Sequence, residues 1–353
     1  NMIRIRKITG AIMSAILLVG LPSLAWTEDA TLPQIITPGL GAMNWTVTNF
    51  GGSDTGNAFN GACDGLSDGM TIDDATSANG AVNAFDTAYQ IYIDGQIFIA
   101  PHPIDRRGNV ITAGPIPTGV PKLLATVEYL FSNRVQAARI RAIFENTSGN
   151  PIDIMVDVPV NFGSDANTVI NATASGDLTF GRNDRWLVTS DGVPAVVPVN
   201  STVFFGTDNP PETPVFATSN VCESSGSEGA GVTFDITIPA NSTRSLMFFA
   251  GLGDIEGVDN TIAGAIANVR MFDDPDTIDN SLVGDLSGTE WDETLNWRNI
   301  RQGKVGLGGG GGGGGGGSGC TLNTPRATDP LFPILLAGAA FQLLSRRNRQ
   351  QRD

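Results

Sequence analysis

Apolar and polar residues alternate along much of this chain, and the alternation predicts strands. Ile152, Ile154, Val156, Val158, Val160 and Phe162 share one parity without a break, while Asp153, Asp157 and Asn161 share the other. A period of two puts such sets on opposite faces of a strand. Val232, Phe234, Ile236 and Ile238 repeat the pattern, Pro239-Ala240-Asn241-Ser242 turns, and Ser245 to Ala250 returns. Ala42 to Phe50, Leu123 to Phe131 and Arg139 to Phe144 read as further strands, and Trp186 to Thr189, Ala195 to Val199 and Val203 to Phe205 as shorter ones. Between Tyr89, Ile91, Ile93 and Ile97, Ile99 stands Asp94-Gly95, a dipeptide suited to the positive φ values of a tight hairpin turn. Asn146 to Pro151 is a turn by composition. Two stretches lack a period: 26–41 reads as an unstructured lead-in and 51–80 as long loops. Near 259 the period lengthens. Asp259 or Asn260 is expected to cap a helix carrying Ile262, Ile266 and Val269 on one face, and Leu295 and Trp297 suggest a helical piece near 290–300. These helices are expected to close the domain edge. The sum is a mainly β fold, an antiparallel β-sandwich with one or two short C-terminal helices.

The two ends follow other rules. Arg4, Arg6 and Lys7 precede an apolar run from Ile12 to Leu21, and Pro22 and Ser23-Leu24-Ala25 follow it. This is the layout of a signal helix that passes the Sec translocon and is cut by signal peptidase after Ala25. The apolar core is too short to favour an uncleaved anchor. At the far end, Gly308 to Gly317 are ten consecutive glycines, followed by Ser318-Gly319-Cys320. With no side chains to bury and high backbone entropy, such a run predicts a flexible spacer. Leu331 to Leu344 is apolar apart from Gln342, and Arg346, Arg347, Arg349 and Arg352 follow. This run is shorter than the roughly 20 residues of a full membrane span, and snorkelling arginines can extend it. Those arginines are expected to stay in the cytoplasm, leaving the body outside. The expected organisation is therefore a signal peptide at 1–25, an extracytoplasmic body at 26–305, a Gly-rich linker at 306–319, and a tail at 320–353 with a membrane helix at 331–345.

Charge narrows the partners. The formal net charge is −15, but the ends mask the body: residues 26–320 hold 13 basic and 34 acidic residues, a net −21. Such a surface repels phosphate backbones and favours cations, so nucleic acid is excluded as a partner. Export permits a disulfide between Cys63 and Cys222; pairing and two separate buried thiols both stay open. His102 is the single histidine, in Pro101-His102-Pro103, with no G-x-S-x-G motif; it reads as an exposed loop residue, and neither a Ser-His-Asp triad nor a zinc site is expected. Carboxylates cluster at Asp64 and Asp68, at Asp73 and Asp74, and at Asp273, Asp274 and Asp276. In so acidic a chain they read first as solvated loops. Asp64 and Asp68, on a Gly-rich loop without EF-hand spacing, are a weak calcium candidate; no other cofactor is expected. A glycosidase pair among the carboxylates stays open. The glycine run lacks the Lys-Ser/Thr of a phosphate loop.

Spacer, Cys320, the string TLNTPRATDPLFP, the short apolar helix and the basic end together resemble the JDVT-CTERM class of bacterial protein-sorting tails, whose architecture MYXO-CTERM and GlyGly-CTERM tails share. The Cys-Thr-Leu-Asn start and the spacing Asp329-Pro330 to Pro333 carry the resemblance; Thr328 departs from it, standing where other members have an aromatic. It implies cleavage near Gly319 and Cys320 by an intramembrane sorting protease of the glutamic, CAAX-processing type, with Arg346 and Arg347 at the retained end. These residues are substrate features. More loosely, Asn83 to Trp297 resembles β-supersandwich modules of secreted bacterial proteins, through AFDTAYQIYIDG, NFGSD with TASGD, and FDITIPANSTRSLMFF. That resemblance implies a large antiparallel sandwich and no activity. The expectation is an exported bacterial cell-surface protein with a non-enzymatic adhesion or envelope role, anchored in the membrane by its C-terminal helix until processed, then at the surface or released. The alternative is a carbohydrate-binding module or carbohydrate-active enzyme, with two facing carboxylates and a cleft lined by aromatics such as Trp45, Trp186 or Tyr92.

Overall fold

The computed structural model describes residues 28–50, 58–61, 69–192, 196–207, 210–221 and 228–298. In chain order the strands are β1 (Glu28–Ala30), β2 (Gln34–Ile36), β3 (Asn44–Phe50), β4 (Gly69–Thr76), β5 (Phe85–Ala88), β6 (Tyr92–Ile93), β7 (Gln96–Ile97), β8 (Ile104–Arg107), β9 (Val110–Pro117), β10 (Leu123–Phe131), β11 (Ala137–Asn146), β12 (Ile152–Phe162), β13 (Val169–Thr173), β14 (Trp186–Ser190), β15 (Asn200–Val203), β16 (Phe216–Thr218), β17 (Gly229–Ile238) and β18 (Ser242–Leu252). Short helices α1 (Ala58–Gly61), α2 (Ile262–Asn268), α3 (Asn280–Val283) and α4 (Gly288–Glu293) complete the described elements, with a 3-10 turn, Val269–Asp273, following α2.

The strands form two large antiparallel sheets. The first runs β1-β8-β9-β10-β11-β18-β15-β14-β13 and the second β16-β17-β12-β5-β4-β3-β2, with the β6–β7 hairpin paired onto β12. The expected mainly β, sandwich-type architecture is therefore observed. Its inner core packs Trp45, Phe85 and Val156 of the second sheet with Tyr129, Phe144 and Phe248 of the first.

The first sheet is apolar on its other face too. Along β18, Leu246, Phe248 and Ala250 join the inner core, while Met247 and Phe249 join a second cluster with Val269, Phe272, Leu282, Trp291 and Trp297. A strand buried on both faces loses its alternation, which is why 245–250 reads as a continuous apolar run. The C-terminal helices thus form a layer over the outer face of the first sheet. They do not close an edge, as the sequence had suggested.

Polar contacts fix this layer. The Arg139 side chain, fully buried on β11, donates from Nη1 to Asp285 Oδ1 and the Leu282 carbonyl, each at 2.6 Å, and from Nη2 to Asp285 Oδ2 at 2.9 Å and Glu128 Oε1 at 2.7 Å. Arg141 Nη1 reaches Glu290 Oε1 at 2.9 Å, and Glu290 also closes the capping box of α4 with Ser287. Trp297 Nε1 donates to the Met247 carbonyl at 2.7 Å, and the ring stands edge-on to Phe249 at 5.2 Å. Gly206 permits that seat, since a Cβ there would lie 2.6 Å from the Trp297 ring.

Other expectations need correction. The lead-in 26–41 contains β1 and β2, which add edge strands to the two sheets. Within 51–80 lies β4, with Met70 and Ile72 buried; Asp73 and Asp74 dilute its pattern. The strand expected at 195–199 is instead β15, polar in sequence and buried throughout. Helix α2 is capped by Thr261, because Asn260 is engaged elsewhere: its Oδ1 accepts from the Val199 amide at 2.7 Å. The Asp94-Gly95 turn forms with φ of 49° and 75°, but its strands are two residues each. The expected signal and membrane helices lie outside the described residues, and no helix among the described residues is long and apolar enough to cross a membrane.

Replacing Arg139 with Ala strands Glu128 and Asp285 without their partner. The expected loss is about 3 kcal/mol in denaturant unfolding, the low end of the range for a broken buried pair because Asp285 is half exposed. Faster amide exchange over 280–293 should accompany it. Unchanged stability would contradict the clamp.

Candidate functional site

Regular pairing gives every strand residue a cross-strand neighbour, so residues skipped by the ladder stand out. Two occur side by side in the second sheet. Between β3 and β4, Thr46 pairs with Asp74 and Val47 with Ile72, and Asp73 is skipped. Between β12 and β5, Asn161 pairs with Thr87 and Phe162 with Phe85, and Asp86 is skipped. Bulges of this kind bend the strand and re-aim the extra side chain, and they are over-represented beside active sites.

The chain leaving β12 completes the arrangement. Gly163 passes so close to β5 that a Cβ on it would lie 2.2 Å from the Asn83 carbonyl oxygen. Asp165 then opens a 3-10 turn, Asp165–Asn167, at a positive φ of 47°. Its carboxyl hydrogen-bonds the Asp86 carboxyl. Asp74 is tied down beside them, its Oδ1 accepting from the Ala84 amide at 3.2 Å.

Electrostatics follow from this crowding. Burial, the hydrogen bond to Asp165, and the charges of Asp165, Asp74 and Asp73 push Asp86 up to about 7. Asp73 is raised by burial and by Asp74. Asp74 is raised by burial, against backbone amides of Ala75, Ala84 and Asn83 that favour its charge. Near neutral pH, Asp86 is thus present in both its acid and its charged form, because burial and the adjacent carboxylates both oppose its ionisation. Such a pair holds a proton donor and a proton acceptor in one hydrogen bond. Glycosidase carboxyls instead stand about 5–9.5 Å apart to flank the substrate. Direct hydrogen bonding places Asp86 and Asp165 closer than that, so proton shuttling suits them better than glycoside cleavage.

Of the carboxylates singled out by sequence, Asp73 and Asp74 therefore belong to a real constellation. Asp273 is structural, accepting from Arg185 Nη2 at 2.6 Å and Trp186 Nε1 at 2.9 Å, while Asp274 accepts from the Asp276 amide at 2.9 Å. His102 is exposed. Among the described residues, Trp45, Trp186 and Tyr92 line no cleft. Trp45 is buried between the sheets, with ring centroids 6.4 Å from Phe85 and 5.4 Å from Phe131; Trp186 lies in the second core; Tyr92 is buried. Cys63, Cys222, the calcium candidates Asp64 and Asp68, the cleavage position Ala25 and the tail residues Gly319, Cys320, Asp329, Pro330, Pro333, Arg346 and Arg347 lie outside the described residues. Among the described residues, no group of three or more His, Cys, Asp or Glu side chains is arranged to hold a metal ion. Asp86 and Asp165 escaped the residue-level reading, although they sit in AFDTAYQIYIDG and NFGSD. The usable signal was Gly163, where the long alternation of β12 stops.

No protein-family model and no curated protein matches this chain. Solved structures do. A TPR-domain containing protein from Parabacteroides distasonis is similar at 9% identity over 61% of this chain and 46% of its own, with a TM-score of 0.37. A polysaccharide lyase is similar at 11% identity over 56% of this chain and 32% of its own, with a TM-score of 0.36. A galactose mutarotase-like protein from Lactobacillus casei is similar at 10% identity over 62% of this chain and all of its own, with a TM-score of 0.37. The match spans less than half of the first two. These likenesses concern the fold alone. One expectation is corrected: the lack of catalytic motifs was read as a non-enzymatic body, whereas a protein named as a polysaccharide lyase stands among these neighbours.

The raised Asp86 makes stability depend on pH in a definite sense. A folded-state value near 7 against an ordinary 3.8 means the contribution is complete below about 4 and lost as pH rises through 7. Wild type should be less stable at pH 8 than at pH 6 by up to about 1 kcal/mol, after discounting for partial solvent access. Asp86→Asn should flatten this slope and gain stability at pH 8 in urea unfolding. Equal slopes for the two proteins would contradict the assignment.

Proposed function

We propose that this chain is an exported bacterial carbohydrate-active protein whose acid–base group is the Asp86–Asp165 pair. The observation that carries the reading is the pair of ladder irregularities that crowds Asp86 with Asp165, Asp74 and Asp73, in surroundings that push Asp86 up to about 7. Opening a sugar hemiacetal requires a proton delivered to one oxygen while another is removed from a second oxygen. A carboxylic acid hydrogen-bonded to a carboxylate supplies both, and its near-neutral midpoint keeps both forms available. On this reading the body is a supersandwich-like module. Among the similar structures, one is named galactose mutarotase-like and another a polysaccharide lyase, and this class of substrate agrees with the proposal.

Export and sorting form the other half of the proposal. The basic n-region, short apolar core and Ala25 site support removal of the leader. Cys320, Asp329, Pro330, Pro333 and the arginine end support processing by an intramembrane protease. The acidic body would then act at the cell surface or in released form.

The test begins with the mature protein, whose intact mass should lack 1–25 and the residues beyond the Cys320 region. Polarimetry then follows the interconversion of α-D-glucose and α-D-galactose. Wild type should accelerate at least one, with a pH midpoint near 7, and Asp86→Asn should lose about 100-fold or more. Full activity in Asp86→Asn would remove the pair from the mechanism.

A further inference from the structure

The outer face of the second sheet carries a second feature, on β12, β17 and β16. Cross-strand neighbours share a face, and Thr233 pairs with both Asp157 and Phe216. Its Oγ1 donates to Asp157 Oδ1 at 2.6 Å. Two residues further along β17, Asp235 faces Met155. Phe216 is 48% exposed and Met155 49% exposed, large apolar side chains open to solvent in an acidic surrounding. Phe59 of α1 lies over Gly231, where a Cβ would meet its ring at 2.4 Å, and its ring centroid is 5.5 Å from that of Phe216 at a 48° tilt. Gly231 thus leaves room for an aromatic surface on the sheet.

Asp157 and Asp235 flank that surface. Neither Asp157 nor Asp235 is in an ion pair among the described residues. Burial and the nearby charge of Asp94 raise Asp157, against its bond from Thr233. Burial and Asp235 raise Glu212. Burial leads both shifts and a neighbouring carboxylate adds to each, in a body whose net charge over 26–320 is −21. The complementary partner is cationic and presents an apolar face to the rings.

We propose that this face is a platform for an amine-bearing glycan, with Phe216 and Phe59 taking the apolar face of a sugar ring and Asp157 and Asp235 taking its ammonium and hydroxyl groups. Aromatic faces attract both C–H surfaces and cations, and the flanking carboxylates add charge-assisted hydrogen bonds. The platform rests on the carbohydrate reading above and extends it.

The experiment is calorimetric titration of the mature protein with a glucosamine hexasaccharide, and with the N-acetylglucosamine hexasaccharide, at pH 6 and low salt. The amine form should bind, and the N-acetyl form at least tenfold more weakly. Phe216→Ala should lower affinity tenfold or more at an unchanged melting temperature, and Asp157→Asn should lower it several-fold and reduce its salt dependence. Asp86→Asn should bind as wild type does while losing mutarotation. Binding that needs Phe216 in a protein without mutarotation would support the platform and defeat the acid–base reading. Mutarotation without binding of either oligosaccharide, or wild-type affinity in Phe216→Ala, would overturn the platform and leave the acid–base reading standing.

Discussion

The first sheet is apolar on both faces, and that constraint decides which surface the protein has left to use. One face closes the sandwich against Trp45, Phe85 and Val156. The other would expose Met247, Phe249 and Trp186 to water if the C-terminal layer did not cover it. Burial of aromatic and large aliphatic side chains drives that docking at roughly 1.5–3 kcal/mol each. Burial is non-directional, so direction comes from Arg139, whose fork binds Asp285 and Glu128 and the end of α3 together. With both faces of the first sheet occupied, polar and acidic chemistry collects on the outer face of the second.

There it takes two forms on one strand. Toward its end, β12 runs into a bulge that hands the ladder's spare residue, Asp86, to Asp165 on the following turn. In its middle, the same strand presents Asp157 and Met155 beside Thr233 and Phe216. The regular part of the ladder makes a surface and the irregular part makes a reactive group. Both depend on glycine at a point of close approach: Gly163 against Asn83, and Gly231 beneath Phe59.

Much of the fold could be read from residue order, for identifiable reasons. Strands with one polar face, such as β10, β12 and β17, advertise themselves by parity. Asp94-Gly95 announces its turn. The elements that escaped are those whose pattern is set by distant partners. β4 reads as loop because a bulge at Asp73 breaks its period, and β15 is polar because its side chains serve a buried interior. The C-terminal helices were visible through Ile262, Ile266 and Leu295, but their position was not, since only the folded sheet shows that its outer face needs a cover. The site was half legible. Asp73 and Asp74 are adjacent in sequence and could be noticed, whereas Asp86 and Asp165 are brought together only by pairing between β5 and β12. The aromatic expectation failed because Trp45 and Trp186 were weighed as ligand-binding rings, when large aromatics in a sandwich more often fill its cores.

The central claim is that burial, together with the crowding of Asp165, Asp74 and Asp73, pushes Asp86 up to about 7. Carbon-13 NMR of the aspartate side-chain carboxyls, assigned with Asp86→Asn and followed from pH 3 to 9, tests it directly. The account predicts an Asp86 resonance that titrates with a midpoint near 7. An Asp86 midpoint near 4 would contradict it.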